Sequence, residues 1–190
     1  MSRLPNIVRE QLSDGEQKIY DHIGAERKEV ANVFKVLMNS PSAALVVADV
    51  GAYVRFHTPF KPALRELVIL TVARRFDSQY EWSQHEPLAF KAGASLDSIE
   101  SIRKGDFSIS SNSDEAIILK FALELVSNCA VSDETFKAVL DKYGKQGTVD
   151  LVVLIGYYTM LAHCISAIQP DIDPGLESSL PIPATVFPIK

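Results

Sequence analysis

The eighteen residues from Leu151 to Ile168 contain no Asp, Glu, Lys or Arg, and His163 is their one histidine. A run of that length meets the minimum for crossing a bilayer, so it sets the first question about the fold. The flanks answer it. Asp150 stands directly before the run, no cluster of Lys or Arg borders either end, and Gly156, Tyr157, Tyr158, Thr159, His163 and Ser166 make a poor lipid-facing surface. A helix that is apolar all round is also what a central core helix or a subunit-interface helix looks like. The expectation is a buried helix and no membrane partner.

Composition supports a folded domain around that helix. Of 190 residues 47% are apolar, and 19 basic against 24 acidic side chains leave a net charge of −5. Mean hydropathy is +0.08. These values exclude a disordered chain and a general nucleic-acid binder, which need low hydropathy or a basic excess. At this length the simplest organisation is one domain over residues 1–190. The two cysteines, Cys129 and Cys164, are too far apart for a CxxC redox or structural zinc motif. They read as small buried apolar residues in a reducing compartment, which with the absence of an export signal points to the cytoplasm.

The rest of the chain is punctuated for helices, with almost no alternating pattern. Ser13-Asp14-Gly15-Glu16 has the capping-box form and introduces a helix through Ile19 and Ile23. A second is expected over Lys28 to Met38. Ser40-Pro41 and Pro62 open helices over Ala43 to Phe56 and Ala63 to Phe76, because proline suits the first helical position. Another runs from Tyr80 to Ala92 and ends at Gly93, and Ser95 caps a short helix to Lys104. After a serine-rich loop, Asp106 to Ser113, three more helices follow: Asp114 to Asn128, Ser132 to Tyr143 and Thr148 to Ile168. Five prolines make residues 169–190 an extended arm, with Leu180, Ile182, Val186, Phe187 and Ile189 as its anchors. The fold class is all-α.

Chemistry concentrates in two neighbouring helices. Glu66 stands among apolar residues from Ala63 to Ala73, either turned to solvent beside Arg65 or desolvated, in which case it becomes a usable acid or base. Glu81 and His85, four apart, share a helix face and are spaced to hydrogen-bond, as a base and its orienter or as an ordinary surface pair. Pro87 restricts that helix to an early turn or a kink. Ala89 stands where a zinc-binding His-x-x-x-His pair would need its second histidine. No phosphate-binding loop, nucleotide fingerprint or metal-ligand cluster is apparent, so no cofactor and no metal are expected.

The run Arg65-Glu66-Leu67, Ala73-Arg74-Arg75, Ser78-Gln79-Tyr80-Glu81-Trp82-Ser83-Gln84-His85-Glu86-Pro87-Leu88-Ala89 and Ala92-Gly93 resembles the core motif of the carboxymuconolactone decarboxylase family, within the alkylhydroperoxidase D-like superfamily. The resemblance is specific over about thirty residues and looser from Ala43 to Ile168, where Gly156-Tyr157-Tyr158 is similar to a pattern in the last helix of cysteine-less members. It implies an alkylhydroperoxidase D-like helical bundle assembled as a trimer or hexamer, with a dimer as the smaller alternative. Against the glutamate, CxxC and histidine of the peroxidase branch, Glu66 and His85 match, while Ser78 and Glu81 fall where the cysteines would be. The dithiol cycle therefore does not carry over. Glu66, Glu81 and His85 remain as a proton-handling set, suited to a lyase that decarboxylates a small carboxylate or lactone substrate.

For that chemistry Arg74 or Arg75 can fork a substrate carboxylate, although consecutive arginines at a helix end also serve the helix dipole. His85 or a tyrosine can stabilise developing charge, and Glu66 or Glu81 can deliver a proton. His57, Tyr157 and His163 complete the candidate substrate-binding set, with a core position hydrogen-bonded to a carbonyl as the plainer reading of His163. Two alternatives stay open: an alkylhydroperoxidase-like peroxidase or disulfide reductase, and a non-catalytic oligomeric small-molecule-binding protein of the same fold.

Overall fold

In a computed structural model the described residues are 2–25, 29–106 and 114–181. After a short 3-10 turn, Arg9–Gln11, eight α-helices follow: α1 Asp14–Ala25, α2 Asn32–Leu37, α3 Pro41–Phe56, α4 Pro62–Arg75, α5 Gln79–Lys91, α6 Leu96–Lys104, α7 Asp114–Asn128 and α8 Asp133–Ile168. No strand occurs among the described residues. The proline starts fall as the sequence indicates, with Pro41 and Pro62 opening α3 and α4. Ser95 accepts the Ser98 N–H at the start of α6, and Gly105, at φ 74°, closes its end in the left-handed region that glycine enters without penalty.

Two elements differ from the sequence reading. The helix expected over Lys28 to Met38 shrinks to α2, with residues 26–28 outside the described residues. The last two helices are one element, α8, interrupted at Gly144, whose φ of 65° and ψ of −177° only glycine tolerates readily. Helix resumes at once, and Thr148 donates its hydroxyl to the Gly144 carbonyl at 2.8 Å. The serine-rich loop from residue 107 and the arm's Ile182, Val186, Phe187 and Ile189 lie outside the described residues.

The hub is α4. Every residue from Glu66 to Ala73 is buried, and α4 packs on α5, α6, α7 and α8. The apolar C-terminal half of α8 is long and apolar enough to cross a membrane. It is instead a core helix of the bundle, with Leu151, Leu154, Ile155, Tyr158, Leu161 and Ala162 buried. Its outward stripe stays apolar: Val149, Val152, Gly156 and Met160 are exposed.

The arm folds back on its own chain. Asp173 accepts the Asn32 backbone N–H at 2.8 Å and is bonded by the Tyr80 hydroxyl and the Gln84 amide. Ser179 accepts from the Trp82 indole at 2.9 Å and donates to Glu86 at 2.7 Å, while Leu180 is buried in the core. These contacts reach α5 from the side away from Glu81 and His85, so they hold the helix at one rotation about its axis.

Candidate active site

The α4–α5 turn places the site. Asp77 adopts φ 50°, the Ser78 N–H donates to the Ala73 carbonyl at 2.8 Å, and Ser78 begins α5. This reversal lays α5 back along α4. At 1.5 Å per residue, Glu66 lies about 16 Å and His85 about 12 Å from Asp77, so they stand nearly level on facing helices. Glu66 Oε2 and His85 Nδ1 are 2.7 Å apart.

Glu66 is desolvated, 2% exposed, and yet ionised. Burial is the largest influence and pushes its carboxyl up. The His85 hydrogen bond and the charges of His85, Arg65 and Arg55 together outweigh it and hold the carboxyl below its usual range. Arg65 reaches Glu66 Oε1 with Nη2 at 3.3 Å and also donates to the Arg55 carbonyl. An ionised Glu66 only accepts, so Nδ1 carries the hydrogen, and in the neutral imidazole the lone pair then falls on Nε2. Tyr158, from α8, stands edge-on to the imidazole at 5.0 Å between centroids, and Tyr157 meets Tyr158 at 5.1 Å.

Glu81 is the opposite case. It is 2% exposed, and neither carboxyl oxygen has a hydrogen-bond partner. Burial pushes it up to about 8, against a small downward pull from the Ser78 hydroxyl, which stays outside hydrogen-bond geometry. At neutral pH Glu81 is a protonated acid. The expected Glu81–His85 hydrogen bond is replaced by Glu66–His85, because α5 turns His85 to Glu66 and leaves Glu81 buried without a partner. The solvated Arg65–Glu66 edge is replaced by a buried pair.

The other candidates are dispersed. Arg74 pairs with Asp77 and donates to the Arg103 carbonyl at 2.9 Å, which ties α4 to α6. Arg75 is exposed, 3.4 Å from the Ser127 hydroxyl. His57 ends α3, exposed, with its ring 6.4 Å from Tyr53. His163 is exposed rather than in the core, edge-on to Phe76 at 5.0 Å. Cys129 is exposed as well, and Cys164 is half-buried; both are free. Pro87 sits in the third turn of an unbroken α5 with its ring facing solvent, beyond the early turns the sequence reading allowed. Among the described residues no cluster of His, Cys, Asp and Glu is arranged to hold a metal.

Sequence reasoning missed Tyr158, Arg55 and the second role of Arg65. Tyr158 is masked by its apolar run, where its neighbour Tyr157 is equally eligible. Arg55 has no local signal, since its relation to Glu66 arises where Arg65 of α4 reaches both the Arg55 carbonyl at the end of α3 and Glu66.

No family model matches the sequence, and no curated protein matches it. Solved structures do. An uncharacterised peroxidase-related protein from Ralstonia eutropha JMP134, with an alkylhydroperoxidase AhpD core, superposes with a TM-score of 0.77 at 14% identity, covering 91% of this chain and 93% of that one. A peroxidase-related protein from Silicibacter sp. TM1040 gives 0.73 at 15% identity, with 90% of both chains covered. A cysteine-to-alanine variant of the debrominase Bmp8, in complex with 2,3,4-tribromopyrrole, gives 0.72 at 13% identity over 90% of this chain and 91% of that one. The chain has the all-helical alkylhydroperoxidase AhpD-like fold.

Proposed function

We propose that this protein is a cofactor-free lyase of the carboxymuconolactone decarboxylase type, acting on a small carboxylate or lactone substrate through Glu66, His85 and Glu81. The observation that carries this reading is the pair of buried carboxyls in opposite states: Glu66 ionised against His85, Glu81 neutral and unpartnered. Two titratable groups whose surroundings drive them apart are what an acid and a base require. Loss of carbon dioxide breaks a C–C bond and leaves its electron pair as an enolate in conjugation with a carbonyl. Protonated Glu81 delivers its proton to that carbon, and water restores it. Where the reaction begins with enolisation, Nε2 of His85 takes the proton, and the imidazolium is stabilised by Glu66.

The peroxidase alternative is less supported. Burial pushes the Cys164 thiol up, so its nucleophilic thiolate is disfavoured. The reading includes a homo-oligomer, trimer or hexamer, joined through the exposed apolar stripe of α8, and a cytoplasmic setting in which both thiols stay reduced.

The test is carbon dioxide release, with deuterium uptake from heavy water, over a panel of lactone carboxylates and conjugated carboxylic acids. Turnover by the protein and none by a folded His85→Ala variant supports the lyase. Binding without turnover by any member supports the binding-protein alternative instead.

A further inference from the structure

The candidate site carries an uncommitted cation. Arg55 lies in the last turn of α3, and its carbonyl accepts a hydrogen bond from the same Arg65 that reaches Glu66 Oε1 at 3.3 Å. Its side chain makes no salt bridge among the described residues, unlike the other arginines around the site, although Arg103 also has a buried Nε without a partner. Arg65 is spent on Glu66 and a carbonyl, Arg74 on Asp77 and a carbonyl, and Arg103 on Glu86 and Glu100. The Arg55 Nε is buried with no hydrogen-bond partner, and the guanidinium carbon lies 5.1 Å from the exposed Phe56 ring. A buried donor left unpaired is destabilising, and an arriving acceptor removes that penalty.

We propose that Arg55 anchors a carboxylate of the substrate at the Glu66–His85 site and makes the site selective for anionic over neutral molecules. A guanidinium offers Nε and one Nη as a parallel fork, the geometry that a carboxylate matches with two hydrogen bonds. Independent support comes from the orphaned Glu81, 2% exposed with both oxygens unpartnered, and from the unpaired Ser78 hydroxyl beside it. The Tyr158 ring stands against His85, and its phenol feels the charges of both Arg55 and Glu66. Arg65 is paired with Glu66, and Arg55 makes no salt bridge among the described residues.

The chemistry restricts which carboxylate this is. A carboxylate held in an ion pair is stabilised against leaving as neutral carbon dioxide. Arg55 therefore holds a group that the reaction retains, and the group lost lies toward His85 and Glu81. That last point rests on the lyase reading; anion selection by Arg55 does not.

The test is calorimetric titration of the full chain with glutarate, trans-glutaconate and adipate, and with their dimethyl esters. The wild type is expected to bind at least one diacid about 10-fold or more tightly than its ester, and Arg55→Met to lose about 10- to 100-fold for the diacid while leaving the ester unchanged. Arg55→Lys restores part of the loss, because it keeps the charge without the fork. Equal diacid binding by Arg55→Met, or no preference of the wild type for any diacid over its ester, overturns the proposal. Thermal melts confirm that each variant is folded. The two readings fail separately: a diacid preference lost in Arg55→Met supports Arg55 as anchor even where the wild type releases no carbon dioxide from any carboxylate, a result that overturns only the lyase reading.

Discussion

Glu66 Oε2 lies 2.7 Å from His85 Nδ1 between two helices, with the Glu66 side chain 3% and the His85 side chain 10% exposed. The contact joins α4 to α5 and fixes one imidazole tautomer. Its stability consequence has a definite sign. A carboxyl whose folded value is depressed contributes stability above its unfolded value, and that contribution is lost as pH falls through the folded value.

Glu66→Gln is accordingly expected to fold and to lose part of its acid-limb stability change. It also removes the charge that supports His85 as a base, so kcat falls about 10²- to 10⁴-fold. Turnover assays, with denaturant melts from neutral pH downward, check both halves.

Glu81 predicts the reverse trend. The unfolded carboxyl ionises near 4.5 and the folded one near about 8, so between those values the native state holds more protons than the unfolded state. Stability therefore falls as pH rises across this window, by an amount of order several kcal/mol. Glu81→Gln keeps a neutral side chain of the same shape and should flatten the profile of melting temperature against pH. In the wild type kcat should fall above about pH 8, as the proton donor ionises.

Asp173 makes the arm a structural element. Its carboxylate serves the Asn32 N–H, the Tyr80 hydroxyl and the Gln84 amide, groups from α2 and α5. Asp173→Ala leaves the Tyr80 hydroxyl, which is buried, without its acceptor, and should cost about 2–3 kcal/mol in urea unfolding. Because Tyr80 and Gln84 orient α5, KM and kcat should both worsen for any substrate.

The exposed stripe of α8 predicts self-association. Val152→Glu places a charge in the middle of Val149, Gly156 and Met160, on a surface where no described residue needs it. Light scattering after gel filtration should show the wild type as an oligomer, a trimer or hexamer on the reading above, and the variant as a smaller species with an unchanged circular dichroism spectrum.

The helices, their starts and most of their ends are legible along the chain, because those signals are local. Pro41 and Pro62 suit a first helical turn whatever the rest of the chain does, and Gly105 and Gly144 mark places where the backbone leaves the right-handed region. The sequence also marks Glu66 as out of place among apolar neighbours, and Glu81 and His85 by their spacing on one helix face. Only the tertiary structure decided how they pair. Spacing along one helix suggested Glu81 with His85, yet the rotation of α5, set by the Asp77 turn and by Asp173 and Ser179 of the arm, aims His85 at Glu66 and leaves Glu81 alone. The same packing made Glu66 an ion and Glu81 an acid, because a carboxyl's charge depends on the groups and the solvent around it. Neither is written in the order of residues along a single helix.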